Sequence, residues 1–586
     1  MRAPRLVAGL AAALTLLVTL SGCASVPSSG PVMHRQADEG SDDSFFFVPP
    51  APQDDADPAA LVQSFLLAGG SGSTGKTYEQ YDTAELYLTG DMQESWVPTG
   101  NVVLYSGAPD ITVQPGTGGA AETAEVSVSV EAVARVDAHG MYTEAESPAP
   151  FTTSFTLRRN SDQQWRISEL DDGVFVPERQ FANQFRATRL YFPTRDLKAW
   201  VPDQRWFPRS AWRTSAVAEV LYGPPAWLQS AVATAAPEGT QLAVPTVTDD
   251  SEGIVEVRLG DDMAELDEPQ LGLLFAQLGV TLTDGEVQPE IALYAGEAKL
   301  TRPAIAEPAM PVTRGAPVAV SGNELYTVSD DKLLDFEQAV HLEGLDPTAI
   351  AVGRGSAPVV VRDGETRLVR VTDVDGSDDQ PELLTGARLV APSLDRYGFV
   401  WSSDDPGRTD FDPANDDGEL LVVDQSGTKH VRRPDWLGGR QVIGVRVAPD
   451  GARVAVVSQR ANSTSVHVAA IVRGENGEPE KLTKPLEVAA SVSGVVSAQW
   501  SGQTALLLLT QDDDTTAIFE TGVGGLPDDS GGTETVQELA DVKILTSGVT
   551  DSGALALTHH GDLYQEHTTG WGDPIAEGIL AVGYPG

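Results

Sequence analysis

The spacing of apolar positions changes several times along this chain, and each change predicts a different kind of element. Leu6–Leu20 is apolar throughout (LVAGLAAALTLLVTL), a run shorter than the ~20 residues needed to cross a bilayer. Asp57-Pro58 then offers an N-cap acid and a first-turn proline, and Leu61, Val62, Phe65 and Leu66 follow at helical spacing. The pattern predicts a second helix over Tyr78–Leu88. Alternating segments at Asn101–Tyr105, Ala124–Asp137, Phe151–Arg159 and Gln164–Leu170 predict strands. Helices followed by a run of strands predict an α+β domain over residues 57–177, with the helices packed on one antiparallel sheet.

From Arg189 the pattern becomes mixed. Leu190-Tyr191-Phe192 reads as a strand, with a second strand-like piece at Trp200-Val201. Trp212–Tyr222 has helical periodicity and stops at Gly223-Pro224-Pro225. Pro237-Glu238-Gly239-Thr240 reads as a turn, Ile254–Leu259 as a strand, Gln270–Leu278 as a helix and Glu290–Tyr294 as a closing strand. Over residues 186–300 this text resembles the GerMN domain, a small α/β module named from spore germination proteins. The resemblance implies a binding or assembly role and transfers no catalytic set. The Trp and Arg residues here (Trp200, Arg205, Trp206, Arg209, Trp212, Arg213) either form a recognition patch or pack beneath a loop.

Beyond a Pro- and Ala-rich linker at Thr301–Gly315, similar units recur: Pro317–Val328, Ala349–Arg362, Leu389–Ser402, Val445–Ser458, Ser497–Thr510 and Gly548–His559. The best-defined pair a short strand with a strongly apolar one such as Arg453–Val457, across a turn such as Pro449-Asp450-Gly451. Those beginning at 389, 445, 497 and 548 are separated by 56, 52 and 51 residues. Strands repeating near a propeller-blade period predict a β-propeller of six or seven blades over residues 316–586, with a pair of sandwiches as the alternative. The fold class is therefore multidomain and mostly β: an α+β domain, a small α/β domain and a propeller.

Composition narrows the function. Lys and Arg number 39 against 85 Asp and Glu, a net charge of −46 that repels phosphate backbones and disfavours nucleic-acid binding. There is one cysteine, Cys23, so no intrachain disulfide can form. It follows Arg2, Arg5, the apolar run and the junction Leu20-Ser21-Gly22, which together read as a signal peptide over residues 1–22 ending in a lipobox. Only a thiol accepts the diacylglyceryl group as a thioether, and the small residues let the peptidase reach the bond before Cys23. Each buried methylene then contributes about 0.8 kcal/mol of anchoring. The expectation is a lipid-modified Cys23, a flexible tether over residues 23–56, and folded domains on the extracytoplasmic face of the cell membrane.

Other motifs carry less. Gly70-Ser71-Gly72-Ser73-Thr74-Gly75-Lys76-Thr77 matches the letters of a phosphate-binding loop, but it follows a helix where that loop needs a buried strand. No nucleotide is expected there. Of eight histidines, His559, His560 and His567 cluster in sequence without a supporting carboxylate pattern, and no metal or cofactor is expected. Asp373–Asp379 and Asp410–Glu419 lack the calcium-loop frame and read as acidic turns. No G-x-S-x-G elbow occurs, and no catalytic residue is assigned.

The order of lipobox and three domains resembles the LpqB family of actinobacterial lipoproteins. Its most distinctive local text is Ser21–Gly30 (SGCASVPSSG), supported by Glu94–Asn101 (ESWVPTGN). The resemblance implies a cone-like first domain similar to nuclear transport factors. It also implies a non-enzymatic role as accessory to the MtrA–MtrB two-component system, through the extracytoplasmic domain of the sensor kinase MtrB, with effects on envelope homeostasis and division. Two rival readings are a binder of cell-wall or other envelope ligands that acts without a kinase, and a propeller hydrolase.

Overall fold

A computed structural model of the chain describes residues 49–586, except 71–80, 116–121, 252, 286, 337–339, 341, 355–357, 372–380, 405–410, 513–514, 528–533, 537–538, 550–552 and 569. Cys23, the leader, most of the predicted tether and the acidic run Asp373–Asp379 lie outside the described residues.

Helix α1 (Pro58–Gly69) starts where the sequence places it, with the Asp57 carboxylate accepting from the Ala60 amide at 2.9 Å. It buries Leu61, Val62, Phe65 and Leu66 on the first sheet. Two short helices follow, α2 (Asp82–Glu85) and α3 (Gly90–Ser95). The long helix expected over Tyr78–Leu88 is thus a single turn within its described part, residues 81–88. Its backbone is drawn into the sheet instead: the Tyr87 carbonyl accepts from the Ile167 amide at 2.9 Å, and the Thr89 amide donates to the Ile167 carbonyl at 2.8 Å.

The first sheet has the order β4-β3-β2-β1-β5, built from β1 (Asn101–Pro115), β2 (Thr123–Asp137), β3 (Tyr142–Arg159), β4 (Trp165–Glu169) and β5 (Val174–Pro177). β5 runs parallel to β1 and the other neighbours are antiparallel. Strict alternation in β2 puts Val126, Val128 and Val130 under the helices. Pro50 and Asp55, at the end of the predicted tether, are bonded to this domain through the Tyr87 hydroxyl (2.6 Å) and the Gln164 amide oxygen (2.7 Å).

Helix α4 (Glu178–Gln184) leads into the hairpin β6 (Phe185–Pro193) and β7 (Trp200–Pro208), paired from Phe185–Pro208 to Pro193–Trp200. The small domain adds α5 (Trp212–Tyr222), α6 (Glu268–Thr281) and the sheet β11-β10-β9-β8. Its strands are β8 (Thr248–Asp249), β9 (Val255–Leu259), β10 (Ile291–Ala295) and β11 (Ala298–Lys299).

From Val318 to Gly583 the described residues form six sheets of four or five strands, the blades of a propeller. Five of the six repeat units lie on the inner half of a blade, for example Gln441–Val447 with Arg453–Arg460. The first unit is out of phase. Val318–Ser321 is the second strand of its blade, and the innermost strand is Ile579–Gly583, paired antiparallel from Val318–Gly583 onward. The sixth unit starts one strand late, because Val542–Thr546 is the inner strand of the last blade.

Candidate functional site

The β6–β7 hairpin belongs to two hydrophobic cores that together span three domains. Phe185 and Trp206 join the core of the first domain, where Phe181 stacks on Phe185 and meets the Trp206 ring, each at 4.9 Å between centroids. Leu190, Phe192, Trp200, Val201 and Phe207 enter the core of the small domain, which is continuous with propeller residues such as Ala452, Val457 and Leu506. Every residue of β7 is buried, including Asp203, Gln204 and Arg205.

A strand with that many polar groups can be buried only if each finds a partner. Gln204 donates to the Leu526 carbonyl (2.7 Å) and accepts from the Thr504 hydroxyl (2.9 Å), and the Trp206 indole donates to the Gly524 carbonyl (3.0 Å). Gly524 and Gly525 make this approach feasible. Both have φ above +100°, and a Cβ on either would come within 2.7 Å of Gln204 or Tyr142. Arg205 pairs with Asp203 at 2.6 Å and donates to the His139 carbonyl at 2.6 Å, reaching back to the first domain. Burial pushes the Asp203 carboxyl up, against the opposing pull of Arg205 and Arg453. Glu219 is likewise raised by burial, while His139 and Arg205 beside it act the other way.

The propeller answers with its own buried pair. Asp450, in the turn read from the sequence, accepts from the Ala452 and Arg453 amides and holds the Arg453 guanidinium at 2.7–2.8 Å. Arg453 then donates to the Pro202 carbonyl of β7 (3.3 Å) and to Gln503 (2.6 Å), and lies over the Trp500 ring at 4.7 Å. Nearby, Arg396 of the propeller meets Asp196 of the small domain at 2.5 Å, with the Tyr397 hydroxyl at 3.1 Å. Burial alone would raise Asp196. The Thr194 hydroxyl, Arg396, the Lys198 amide and Tyr397 outweigh it and hold the carboxyl below its usual range.

The Trp and Arg set is therefore largely interior. Trp200, Arg205, Trp206 and Trp212 are buried; Arg209 donates to the Ala182 carbonyl, and Arg213 pairs with Asp249. The packed alternative holds and the exposed-patch alternative does not.

The remaining sequence candidates do not assemble. Gly70 caps α1, so the G-x-x-x-x-G-K-T text follows a helix, and the rest of it lies outside the described residues. His560 faces Asp541 and His567 faces Asp331, at 3.5 and 3.4 Å, on separate partners. Asp412 and Asp416 spend their oxygens on turn groups of their own loop. Among the described residues no three His, Cys, Asp or Glu side chains group as metal ligands.

Residues 51–182 match the N-terminal domain of lipoprotein LpqB, residues 189–296 a sporulation and spore germination domain, and residues 323–574 the lipoprotein LpqB β-propeller domain. A relative from Bifidobacterium longum, "Lipoprotein LpqB", is 28% identical over 498 residues, covering 82% of each chain. One of the same name from Cutibacterium acnes is 26% identical over 622 residues, covering 96% of this chain and 97% of its own. Among solved structures, TolB from Acinetobacter baumannii has a TM-score of 0.32 at 12% identity, covering 46% of this chain and 66% of that one. A study of two prolyl endopeptidases supplies another, with a TM-score of 0.24 at 16% identity, covering 45% of this chain and 40% of that one.

The molecule is thus a multidomain β-propeller lipoprotein whose domains are joined through a shared buried hairpin. It belongs to the LpqB lipoprotein family.

Proposed function

We propose that this chain is a lipid-anchored accessory of the MtrA–MtrB two-component system, held at the extracytoplasmic face of the cell membrane through Cys23. In this reading it is not an enzyme. It contacts the extracytoplasmic domain of the sensor kinase MtrB and biases the signal that governs envelope homeostasis and division. Family membership supports the choice of partner. The observation that carries the mechanism is the buried strand β7, which ties three domains into one body. A partner bound to one domain would then act on all three.

No described helix is long and apolar enough to cross a membrane; in this reading the lipid on Cys23 supplies the attachment. The test is capture of the full chain by the isolated kinase sensor domain, followed by kinase activity with and without the chain in vesicles. Saturable binding in the micromolar range and a changed phosphorylation rate are expected. No binding at that concentration would sink the reading. A binder of envelope ligands acting without a kinase is the second reading, and the open propeller channel favours it.

A further inference from the structure

The propeller channel has two unlike ends. The turns between the first and second strands of the blades face the small domain, through Arg453, Gln503, Arg396 and Tyr397. At that end the channel narrows to about 60 Å³, lined by Thr313 of the linker and by Tyr584–Gly586, with the Gly586 amide on the Val352 carbonyl at 2.9 Å. The opposite end widens to about 450 Å³, within the range of small-ligand pockets.

Charge makes this wide end unusual. In a chain with 85 acids and 39 bases, it is lined by Arg362, Arg388, Arg446 and Lys543 against one carboxylate, Glu365. Arg388 takes that carboxylate at 3.4 Å. Arg446 sits deep, where the two ends meet. Its Nε donates to Gln499 at 2.9 Å, and its Nη1 to the main-chain oxygens of Ala391, Pro392 and Val445 at 2.8–3.3 Å. Arg362 donates from Nε to the Thr348 hydroxyl and from Nη1 to the Leu389 carbonyl, both at 2.9 Å. In both side chains Nη2 has no acceptor among the described residues, and neither guanidinium has a carboxylate in ion-pair reach there.

Holding a guanidinium with neutral acceptors alone leaves its charge uncompensated, which is costly away from water. Burial lowers the pKa of both arginines: that of Arg446 to about 10, with the Arg362 charge adding to the effect, and that of Arg362 against a partial compensation from Glu365. A structural pin needs no second cation beside it. A site for an anion does, because two forks with free N–H groups can grip two oxygens of one group.

We propose that the wide end of the propeller channel binds a small ligand through an oxyanion, a carboxylate or phosphate, held by Arg446 and Arg362 with Arg388 and Lys543 at the rim. The acidic exterior repels long polyanions, so the fitting ligand carries one or a few negative groups. This inference stands apart from the kinase partner and survives the failure of kinase capture.

The test is calorimetric titration of the full chain in neutral detergent with inorganic phosphate, with citrate, and with N-acetylglucosamine as the uncharged control. Saturable binding of phosphate or citrate at about 1 mM or below is expected, weakened by added salt and absent for the sugar. The stronger of the two anions names the group. Arg362→Gln and Arg446→Gln should each weaken it at least about tenfold, and Arg388→Gln, at the exposed rim, by less. Arg362 holds only two neutral acceptors, so Arg362→Gln remains informative if Arg446→Gln does not fold. No saturable binding of either anion by the unaltered chain at about 20 mM overturns the proposal. Unchanged binding in a folded Arg362→Gln chain also overturns it, leaving the arginines as structural pins.

Discussion

Arg453→Met tests whether the propeller is joined to β7 by a buried charge. The substitution keeps most of the side-chain volume and removes the cation. Asp450, fully buried, would keep the Ala452 and residue-453 amides but lose its counter-charge, while the carbonyls of Pro202 and Gln503 would each lose a donor. Removing one member of such a pair typically costs about 3–5 kcal/mol. For a domain of this size that corresponds to a fall in melting temperature on the order of 10 °C. Differential scanning calorimetry of the full chain should show it in the propeller transition. The Asp450→Asn/Arg453→Met double variant should recover about half of the loss, because asparagine still accepts from both amides through Oδ1 and leaves no buried charge. A shift below about 2 °C for the single variant, or a double variant no better than the single, would refute the reasoning.

Two further outcomes are expected. Asp196, held below its usual range in the folded chain, stabilises the contact with Arg396 and Tyr397. Its contribution is complete above the ordinary aspartate value of 3.8 and is lost as pH falls through the depressed folded value. Melting curves of the unaltered chain and Asp196→Asn should therefore differ at pH 6 and converge toward pH 2.5; a constant gap would contradict this. Cys23→Ala should release the chain from membranes or leave it unprocessed, as read by fractionation and mass, whereas a processed, membrane-bound Cys23→Ala chain would disprove the anchor.

The strands most legible in the sequence were those whose burial follows one sheet face. β2 alternates along its whole length, and the Ala124–Asp137 reading differs from it by one residue. β1 runs to Pro115 where alternation suggested an end at Tyr105, because register shifts at Leu104/Tyr105 and Ser106/Asp110 break the period without ending the pairing. β3 begins at Tyr142, hidden by Pro148 and Pro150 in a largely exposed stretch. β7 was legible only at its start, Trp200-Val201, for a different reason. Pro202-Asp203-Gln204-Arg205 carries no apolar alternation, and the partners of Gln204 and Arg205 include residues far along the chain, which no local pattern records.

The channel arginines were missed for a related reason. Arg446 sits between Val445 and Val447, where alternation suggests a solvent-facing position, and Arg362 follows Val361 in the same way. Arg446 lies on the innermost strand of its blade, where that face turns toward the propeller axis, and Arg362 lies near the end of the second strand of its own blade, at the wide mouth of the channel. Counting cations on the first two strands of each blade is the available signal, once the blades are placed.

The closing blade sets an order of assembly. Three of its strands lie near Val318–Asp335 and its innermost strand is Ile579–Gly583, so the ring stays open until the last stretch of chain arrives. Until then Val318–Ser321 presents an unpaired edge, the kind of surface on which nascent strands of separate molecules adhere. A chain exported in unfolded form would meet that hazard outside the cell, where a factor shielding the edge would govern yield more than native stability does. Loss of a few residues near 579–583 would act as a failure of sealing, with five blades formed and the sixth unable to lock.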